Sequence, residues 1–168
     1  RQVGHYWLRD PDIAPDKEIT KSINHEIDAI KNFGRKIIEG DITSSQSLKY
    51  TDVIWIGIGG SGLGPKLLVN SLKSYQIGLD FHFIDNIDPN GIHEILHSLV
   101  PKLKTTLAVV VSKSGGTPEP RIAMEHVRDF YIKNNIKWTN NAVAITMRGS
   151  NLDKIAKSNN WLRSFDLP

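Results

Sequence analysis

The sequence predicts an α/β fold, a three-layer αβα sandwich in which helices cover both faces of a five-stranded parallel sheet. Five short apolar runs recur along the chain, at residues 53–58, 81–84, 107–111, 142–146 and 161–165. Segments with apolar residues at helical spacing separate these runs, and such alternation is typical of βαβ units with right-handed crossovers. The sheet is therefore expected to be doubly wound, with ligands bound at the carboxyl ends of its strands.

The first 49 residues are expected to form an extension with one long helix, followed by the sheet domain at residues 50–168. Residues 1–15 look irregular because Pro11 and Pro15 interrupt them. Residues 16–39 place isoleucines and Phe33 three and four positions apart, which predicts one helical stripe. Gly40 is a suitable stop for this helix.

The helices between the apolar runs are predicted from their stripes and from their start signals. Asp88-Pro89 and Thr117-Pro118 each pair a capping residue with proline at the first helical position. Ser150 is expected to cap the last helix. The helix after the first run carries a stripe of leucines: Leu63, Leu67, Leu68 and Leu72.

Composition excludes several classes of protein. Apolar residues make up 39% and charged residues 23% of the 168 positions, an ordinary globular mix, and the net charge of +3 is spread without long runs of one sign. The absence of cysteine excludes a disulfide scaffold, cysteine-ligated zinc and thiol catalysis, and is compatible with a reducing cytosol. No stretch reaches the roughly 20 apolar residues of a membrane span, and no nucleic-acid tail is visible.

Because the chain starts at Arg1 and stops at Pro168 just after a strand-like run, we expect a fragment of a longer polypeptide.

The first candidate site is the stretch IGIGGSG at residues 56–62. Gly57, Gly59 and Gly62 satisfy the dinucleotide fingerprint, glycines let the backbone approach a ligand, and the following helix offers unpaired N–H groups to an anion. Ser61 can add a hydroxyl donor. The pattern alone leaves open a dinucleotide, a nucleotide, a sugar phosphate, or a tight turn without a ligand.

A dinucleotide site would need an acidic residue after the second strand, to bind the ribose hydroxyls. Asp85 lies 26 residues after Gly59 and supports this alternative. Against it, Asp85 belongs to the stretch DNID, in which Asp88 is better explained as a helix cap, and acidic residues are common at strand ends for turn formation.

The second candidate site follows the third apolar run, in the stretch SKSGGTPE at residues 112–119. Ser112, Ser114 and Thr117 offer hydroxyl donors, Lys113 adds a positive charge, and successive backbone N–H groups can form an anion-binding nest. The loops after the first and third strands flank the switch point of a doubly wound sheet. We therefore expect both loops to converge on one compact terminal phosphate, although a hydroxyl-containing turn with a helix cap is the alternative.

Residues 93–97, HEILH, match the H-E-x-x-H pattern of zinc proteases. Such a site also needs a third ligand and a deep cleft. Here the pattern follows a strand and an Asp-Pro cap, so we interpret it as an amphipathic packing helix with His93 and His97 on its solvent side. No metal site is predicted.

Three stretches taken together resemble the glucose-6-phosphate isomerase family in its bacterial or cyanobacterial form. They are VIWIGIGGSGLGPKLL, HFIDNIDP and VVVSKSGGTPEPRIAMEHV, and the likeness runs from GHYWLR near the start to RSFDLP at the end. The resemblance implies the sugar isomerase (SIS) fold, whose five-stranded parallel sheet is doubly wound in the manner of flavodoxin.

The resemblance also implies which residues bind the phosphate of the substrate. In the family this role belongs to the glycine-serine pair of the first loop and to the serine- and threonine-containing stretch of the second. Both motifs are intact here, with two glycines where some members carry bulkier residues. The matching positions are Gly60, Ser61, Ser112, Lys113, Ser114, Gly115, Gly116 and Thr117.

The activity implied by the resemblance is the interconversion of glucose 6-phosphate and fructose 6-phosphate through an enediol, a cytoplasmic step of glycolysis and gluconeogenesis that needs no cofactor. The family uses a glutamate, a histidine, a lysine and the arginine of a G-G-R motif, and none of these motifs occurs in this chain. No catalytic residue is therefore assigned, and Glu119 is interpreted as a first-turn helix acid. The resemblance implies a missing C-terminal SIS domain and a homodimer. A stand-alone SIS sensor of sugar phosphates and a dehydrogenase domain remain alternatives.

Overall fold

The computed structural model describes residues 4–72 and 78–167 and contains one parallel sheet of five strands. The strand order is β2-β1-β3-β4-β5, and every neighbouring pair is parallel. The predicted doubly wound α/β fold is therefore confirmed. The strands are β1 Asp52–Ile56, β2 Asp80–Ile84, β3 Thr106–Val111, β4 Ala142–Thr146 and β5 Arg163–Asp166.

Six α-helices lie in the described part of the chain, and those between strands occur where the apolar stripes predict them. They are α1 His5–Arg9, α2 Lys17–Glu39, α3 Gly60–Ser71, α4 Pro89–Ser98, α5 Pro118–Lys133 and α6 Asn151–Ser158. Short 3₁₀ turns occur at Pro11–Ile13, Val100–Thr105 and Trp138–Asn140. No helix in residues 4–72 or 78–167 is long and apolar enough to cross a membrane.

The order of the strands determines where a ligand can bind. The chain runs from β1 outward to β2 and then returns past β1 to form β3 on its other side. Residue Asp52 of β1 consequently pairs with Asp80 on one side and with Thr106 on the other. The loops that leave the carboxyl ends of β1 and β3 therefore flank the point at which strand order reverses.

The core lies on both faces of the sheet, and β3 is buried at all six of its positions. Such continuous burial is typical of a parallel strand that is covered on both sides. On one face Ile54 and Val110 pack in a cluster with residues of α4, α5 and α6. On the other face Val53 and Val109 cluster with Ile37 of α2. The long N-terminal helix thus contributes to the core of the sheet.

The predicted starts and stops of helices can be compared with the observed caps. Asp88 accepts a hydrogen bond from the Gly91 N–H at 2.7 Å, and Ser150 accepts one from the Asp153 N–H at 3.1 Å, so both predicted caps are confirmed. Gly40 ends α2 in the left-handed region with φ of +85°, where glycine carries no steric penalty. The division of the chain at residues 49 and 50 stays a prediction.

The prediction of an irregular N-terminal segment is wrong for residues 5–13. Helix α1 and the 3₁₀ turn at Pro11–Ile13 occupy this stretch, whereas residues 1–3 lie outside the described part of the chain. Pro11 is the first residue of its turn, a position at which the missing N–H costs nothing. The Asp10 carboxylate caps the same turn by accepting from the Asp12 N–H at 3.3 Å. Proline therefore starts a helical turn here.

Candidate functional site

The glycines of the first loop allow α3 to begin directly at the end of β1. A Cβ placed on Gly57 would lie 2.5 Å from the Ser61 carbonyl oxygen, and one on Gly62 would lie 2.1 Å from the Gly57 carbonyl oxygen. Gly59, at the N-cap of α3, has φ of +57°. Each glycine of the fingerprint thus has a steric reason that does not depend on a dinucleotide.

Ser61 is held in the first turn of α3 by its backbone. The Trp55 indole Nε1 donates to the Ser61 carbonyl at 2.8 Å, and the Ser61 N–H bonds to the Ile58 carbonyl at 3.2 Å. The Ser61 hydroxyl, by contrast, has no hydrogen-bond partner within residues 4–72 and 78–167. The backbone thus fixes the position of this residue and leaves its hydroxyl available to a ligand.

The second loop is fastened to the end of β4 through its carbonyl groups. The Thr146 hydroxyl donates to the Ser112 carbonyl at 2.6 Å, and the Met147 N–H donates to the Lys113 carbonyl at 3.0 Å. In addition, the Ser112 N–H bonds to the Ile145 carbonyl at 3.2 Å. These bonds order the backbone of the loop without using the hydroxyls of its serines.

Gly115 and Gly116 shape the second loop. Gly115 has φ of +64°, and a Cβ there would lie 2.5 Å from the backbone nitrogen of Leu152, so the loop is pressed against the start of α6. The Gly116 N–H donates to the Ser114 hydroxyl at 3.2 Å. The glycines therefore act on the loop through packing and internal bonding.

Thr117 occupies the N-cap of α5, but its hydroxyl does not cap the helix. The expectation that this side chain caps α5 is wrong, although the helix does begin at Pro118 as predicted. An N-cap side chain normally accepts from the N–H of the second or third helical residue. Here the third residue is Pro120, which has no N–H. Within the described residues the Thr117 hydroxyl is left unpaired.

The two loops meet at one pocket of about 440 Å³. Five of the eight predicted site residues line it, and the other three, Gly60, Gly115 and Gly116, do not. Apolar side chains complete the pocket. Met147 is one of them and was not predicted, although this residue directly follows the fourth apolar run, at the same edge of the sheet. The lining residues are Ile58, Gly59, Ser61, Val111, Ser112, Lys113, Ser114, Thr117, Pro120 and Met147.

The chemistry of this lining suits a small anion. Lys113 is the charged residue of the lining, and no carboxylate or imidazole from the described chain joins it. Ser112 is only 7% exposed yet lines the pocket, and its hydroxyl, like those of Ser61 and Thr117, has no partner in residues 4–72 or 78–167. Unpaired hydroxyls beside a cation can donate to an oxyanion, whereas the lining offers no carboxylate or imidazole for acid–base catalysis.

A hydrogen-bonded network supports the second loop from behind. The Thr146 and Ser150 hydroxyls lie 2.7 Å apart, and the Asp153 carboxylate accepts from the Gly149 N–H at 2.8 Å and from Lys157 at 2.7 Å. The pKa of Asp153 lies below its ordinary value, and the bond from Lys157 is the largest cause. Burial raises this pKa, whereas the bonds from the Gly149 N–H and the Ser164 hydroxyl lower it further. The ionised carboxylate thus fixes the start of α6, the segment against which Gly115 of the second loop packs.

Asp85 is engaged by a residue of this chain. Its carboxylate pairs with Lys66 of α3 at 2.7 Å, and the Asp85 side chain is 21% exposed. A ribose-binding acid would have to offer this carboxylate to the ligand. The ion pair instead joins the end of β2 to α3.

The HEILH stretch lies on α4, as the cap predicts. His93 and His97 are exposed, and their ring centroids are 3.9 Å apart. Across residues 4–72 and 78–167 no group of three or more His, Cys, Asp or Glu side chains is placed to hold a metal ion.

A larger groove of about 560 Å³ runs between α2 and the start of β5. Its lining includes His25, Asp28, Lys36 and Arg163. Arg163 is the first residue of β5, so the groove lies toward the amino end of that strand, whereas ligands of doubly wound sheets bind beyond the carboxyl ends. None of the predicted site residues lines this groove.

Comparison with known proteins identifies the family of this chain. The model of the phosphoglucose isomerase family matches residues 1–159. A glucose-6-phosphate isomerase from Prochlorococcus marinus strain SARG is 60% identical over the whole chain, which spans 32% of that relative. The relative from Synechococcus sp. strain CC9902 is 52% identical over 99% of the chain, which spans 31% of its length. The chain thus spans about a third of the length of the curated relatives it matches.

Solved structures give the same result. The crystal structure of a glucose-6-phosphate isomerase from Chlamydia trachomatis superimposes with a TM-score of 0.78 at 32% identity, covering 96% of this chain and 29% of that one. A hypothetical protein from Thermus thermophilus shares the fold, with a TM-score of 0.70 at 23% identity over 97% of this chain and 37% of its own. By the extent of the family match, this chain belongs to the phosphoglucose isomerase family.

Proposed function

We propose that this chain is the phosphate-binding part of a glucose-6-phosphate isomerase, which interconverts glucose 6-phosphate and fructose 6-phosphate through an enediol. The observation that carries the proposal is the pocket at which both loops meet. It gathers Ser61 from one helix start and Ser112, Lys113, Ser114 and Thr117 from the neighbouring one. Membership of the phosphoglucose isomerase family supports a hexose phosphate as the ligand.

The proposed recognition rests on donors that the fold leaves unused. A phosphate monoester presents three oxygens and close to two negative charges near neutral pH. The hydroxyls of Ser61, Ser112 and Thr117 donate to these oxygens, and Lys113 supplies positive charge. The Gly60 N–H, at the positive end of α3, is a further donor with no backbone partner among the described residues.

Isomerisation also needs groups that move a proton between two carbon atoms, and the lining of this pocket has no carboxylate or imidazole for that role. We therefore propose that the catalytic residues lie in the part of the relatives that this chain does not span, in a second SIS domain. The assignment of residues 50–168 as an SIS domain, the homodimer and the cytoplasmic location belong to the same proposal. The 168 residues by themselves are then expected to bind the substrate weakly and not to turn it over.

The two alternatives differ in what they require. A dinucleotide-dependent dehydrogenase needs the Asp85 carboxylate to bind the ribose, but Lys66 binds this carboxylate. The fingerprint glycines do not require a dinucleotide either, because the contact between Gly57 and α3 explains them. A stand-alone sensor would share the pocket and the ligand. The sensor is distinguished by the reading frame beyond Pro168, which would then encode no isomerase domain.

Titration of the 168-residue chain separates the ligand classes. Isothermal calorimetry with glucose 6-phosphate, fructose 6-phosphate and NAD is expected to give one hexose-phosphate site per chain and no binding of NAD. Trp55 donates to the Ser61 carbonyl, so a variant in which Trp7, Trp138 and Trp161 are replaced by phenylalanine gives a second, fluorescence readout at the loop. Tight binding of NAD without binding of either sugar phosphate would contradict the proposal, as would substantial isomerase turnover by this chain alone.

A further inference from the structure

Helix α3 exposes an apolar surface that the fold of these residues leaves uncovered. Its leucines remain largely accessible to solvent: Leu63 63%, Leu67 67%, Leu68 62% and Leu72 54%. By contrast, Gly62 is its buried residue, where α3 approaches the end of β1. Scattered exposed leucines are ordinary, but a contiguous apolar patch marks a contact site.

The composition of this surface strengthens the argument. At about 100° per residue, the half of the helix that carries the four leucines contains only leucine, glycine and serine. The one charged residue of α3, Lys66, is paired with Asp85 at 2.7 Å. We name this half of the helix the leucine face; it comprises Gly60, Ser61, Leu63, Gly64, Leu67, Leu68, Ser71 and Leu72.

The absence of charge favours a permanent contact, because permanent interfaces are more hydrophobic than transient ones. The size of the face also bears on the occupant. With 12 residues, α3 is about 18 Å long and 10–12 Å across, which is small against the roughly 800 Å² that each partner of a stable complex buries. On its own, therefore, this face supplies only a fraction of the area that a stable complex with a freely diffusing partner buries.

A covalently linked segment does not face this limit, because tethering gives it an effective concentration in the millimolar range. The relatives supply such a segment, since the matched chain covers only 32% of the Prochlorococcus marinus strain SARG protein and 29% of the Chlamydia trachomatis chain. We propose that the leucine face of α3 is the docking surface for the polypeptide that these isomerases carry outside the matched third.

The position of α3 gives this contact a further consequence. The helix starts at the loop that lines the pocket, and Ser61 belongs to both the pocket and the first turn of α3. A segment packed on the leucine face would consequently lie next to Ser61, at the edge of the pocket. The docking proposal itself rests on burial and on the length of the relatives, and it would stand even if the pocket bound a different anion.

Thiol labelling tests the proposal without any substrate. The 168-residue chain contains no cysteine, so Leu67→Cys introduces a single thiol into it. The same substitution is made in a chimera, in which these 168 residues replace the matched third of the strain SARG relative. Maleimide labelling of the peptide that contains position 67 is followed by mass spectrometry, with Lys154→Cys on the exposed side of α6 as the matched control.

The thiol at position 67 is expected to react at least about tenfold more slowly in the chimera than in the 168-residue chain, as protected sites do. This difference should be the same at every protein concentration. The thiol at position 154 should react at similar rates in both. Equal rates at position 67 would overturn the proposal. Protection that disappears on dilution, in either protein, would also overturn it, because a second copy would then be the occupant.

A stability comparison gives a second, independent readout. The double variant Leu63→Ser and Leu68→Ser should lower the unfolding temperature of the chimera clearly. In the 168-residue chain, where both side chains are exposed, the shift should stay within about 2 °C. Equal shifts in the two proteins would contradict docking on this face.

Discussion

Two left-handed glycines near the second loop differ in what surrounds them. Gly115 has φ of +64° and Gly149 has φ of +77°. A Cβ on Gly115 would lie 2.5 Å from the Leu152 nitrogen, whereas one on Gly149 would meet no atom within 4 Å. The pair therefore separates the cost of a left-handed backbone from the cost of a collision, and it measures how firmly the loop is pressed against α6.

Gly115→Ala is expected to lower the free energy of unfolding more than Gly149→Ala does. Alanine in the left-handed region costs roughly 1–2 kcal/mol, and this cost applies to both variants. The collision at Gly115 adds about 1–3 kcal/mol, as overpacking does elsewhere. Urea denaturation of the two variants measures the difference. Equal losses would mean that the loop is not held against Leu152.

Removal of single hydroxyls tests the phosphate site. Ser61→Ala and Thr117→Val should each weaken the binding of glucose 6-phosphate by about 1–3 kcal/mol, because each removes a donor to a charged group. The stability of the fold should change little, since neither hydroxyl has a partner among the described residues. Ser158→Ala, at the exposed far end of α6, is the control. Unchanged affinity in both site variants would refute the assignment of these hydroxyls.

At the scale of residues, chain order and glycine content were sufficient to predict that Ser61 and Thr117 belong to neighbouring turns, and the structure places both in the lining of one pocket. The missing cap at Thr117 was not predicted, because the dipeptide Thr117-Pro118 has the same signature whether or not a donor follows. Met147 was missed because an apolar wall has no motif. The phosphate-binding role of all eight residues stays a prediction.

At the scale of elements, the Asp153 carboxylate ties the first turn of α6 to the preceding loop and to β5, because it accepts from the Gly149 N–H at 2.8 Å and from the Ser164 hydroxyl at 3.2 Å. The pKa of Asp153 lies below its ordinary value, with the Lys157 bond as the largest cause. A carboxyl group whose pKa is lowered by folding stabilises the native state above its unfolded pKa, near 4, and this contribution is lost as pH falls through the native value. Acid should therefore weaken the bonds that fix the start of α6.

Asp153→Asn is expected to lower the free energy of unfolding at pH 7, because the charged bonds to Lys157 and to the Gly149 N–H are weakened. The difference between the wild-type chain and the variant should shrink as pH falls below about 4, because the unfolded chain binds a proton there and the native carboxylate follows at its lower pKa. Urea titrations at pH 7, 5 and 3 measure it. A difference that grows toward low pH would show that the sign of the pKa shift is wrong.

Periodicity and cap chemistry predicted most elements, because parallel strands and amphipathic helices follow local rules. Every apolar run overlaps a strand, and α2 ends at Gly40 as expected. The rules failed at residues 5–13, where proline starts a turn. Periodicity also shows which leucines of α3 share a face, but whether another element covers them depends on the tertiary structure.

At the scale of the whole molecule, the sheet order places the β1 and β3 loops side by side at the point where strand order reverses. This order is what allows two short, separate motifs to form one pocket. Right-handed crossovers and parallel pairing predicted a doubly wound sheet, whereas its flavodoxin-like form was implied by the family resemblance, because handedness alone allows more than one strand order. Topology does not identify the ligand or the catalytic residues that we propose lie outside this chain, because proteins of many functions share this fold.

The central claim is that both loops hold one phosphoryl group, and backbone NMR tests it most directly. Glucose 6-phosphate is titrated into the ¹⁵N-labelled 168-residue chain, and the amide signals of residues 57–62 and 112–117 are followed. If both loops bind one phosphoryl group, the signals from both loops will shift along one binding curve with a single dissociation constant. Ser61→Ala will then also raise the dissociation constant that is measured from the signals of the second loop. Shifts confined to one loop, or two curves with different midpoints, would contradict it.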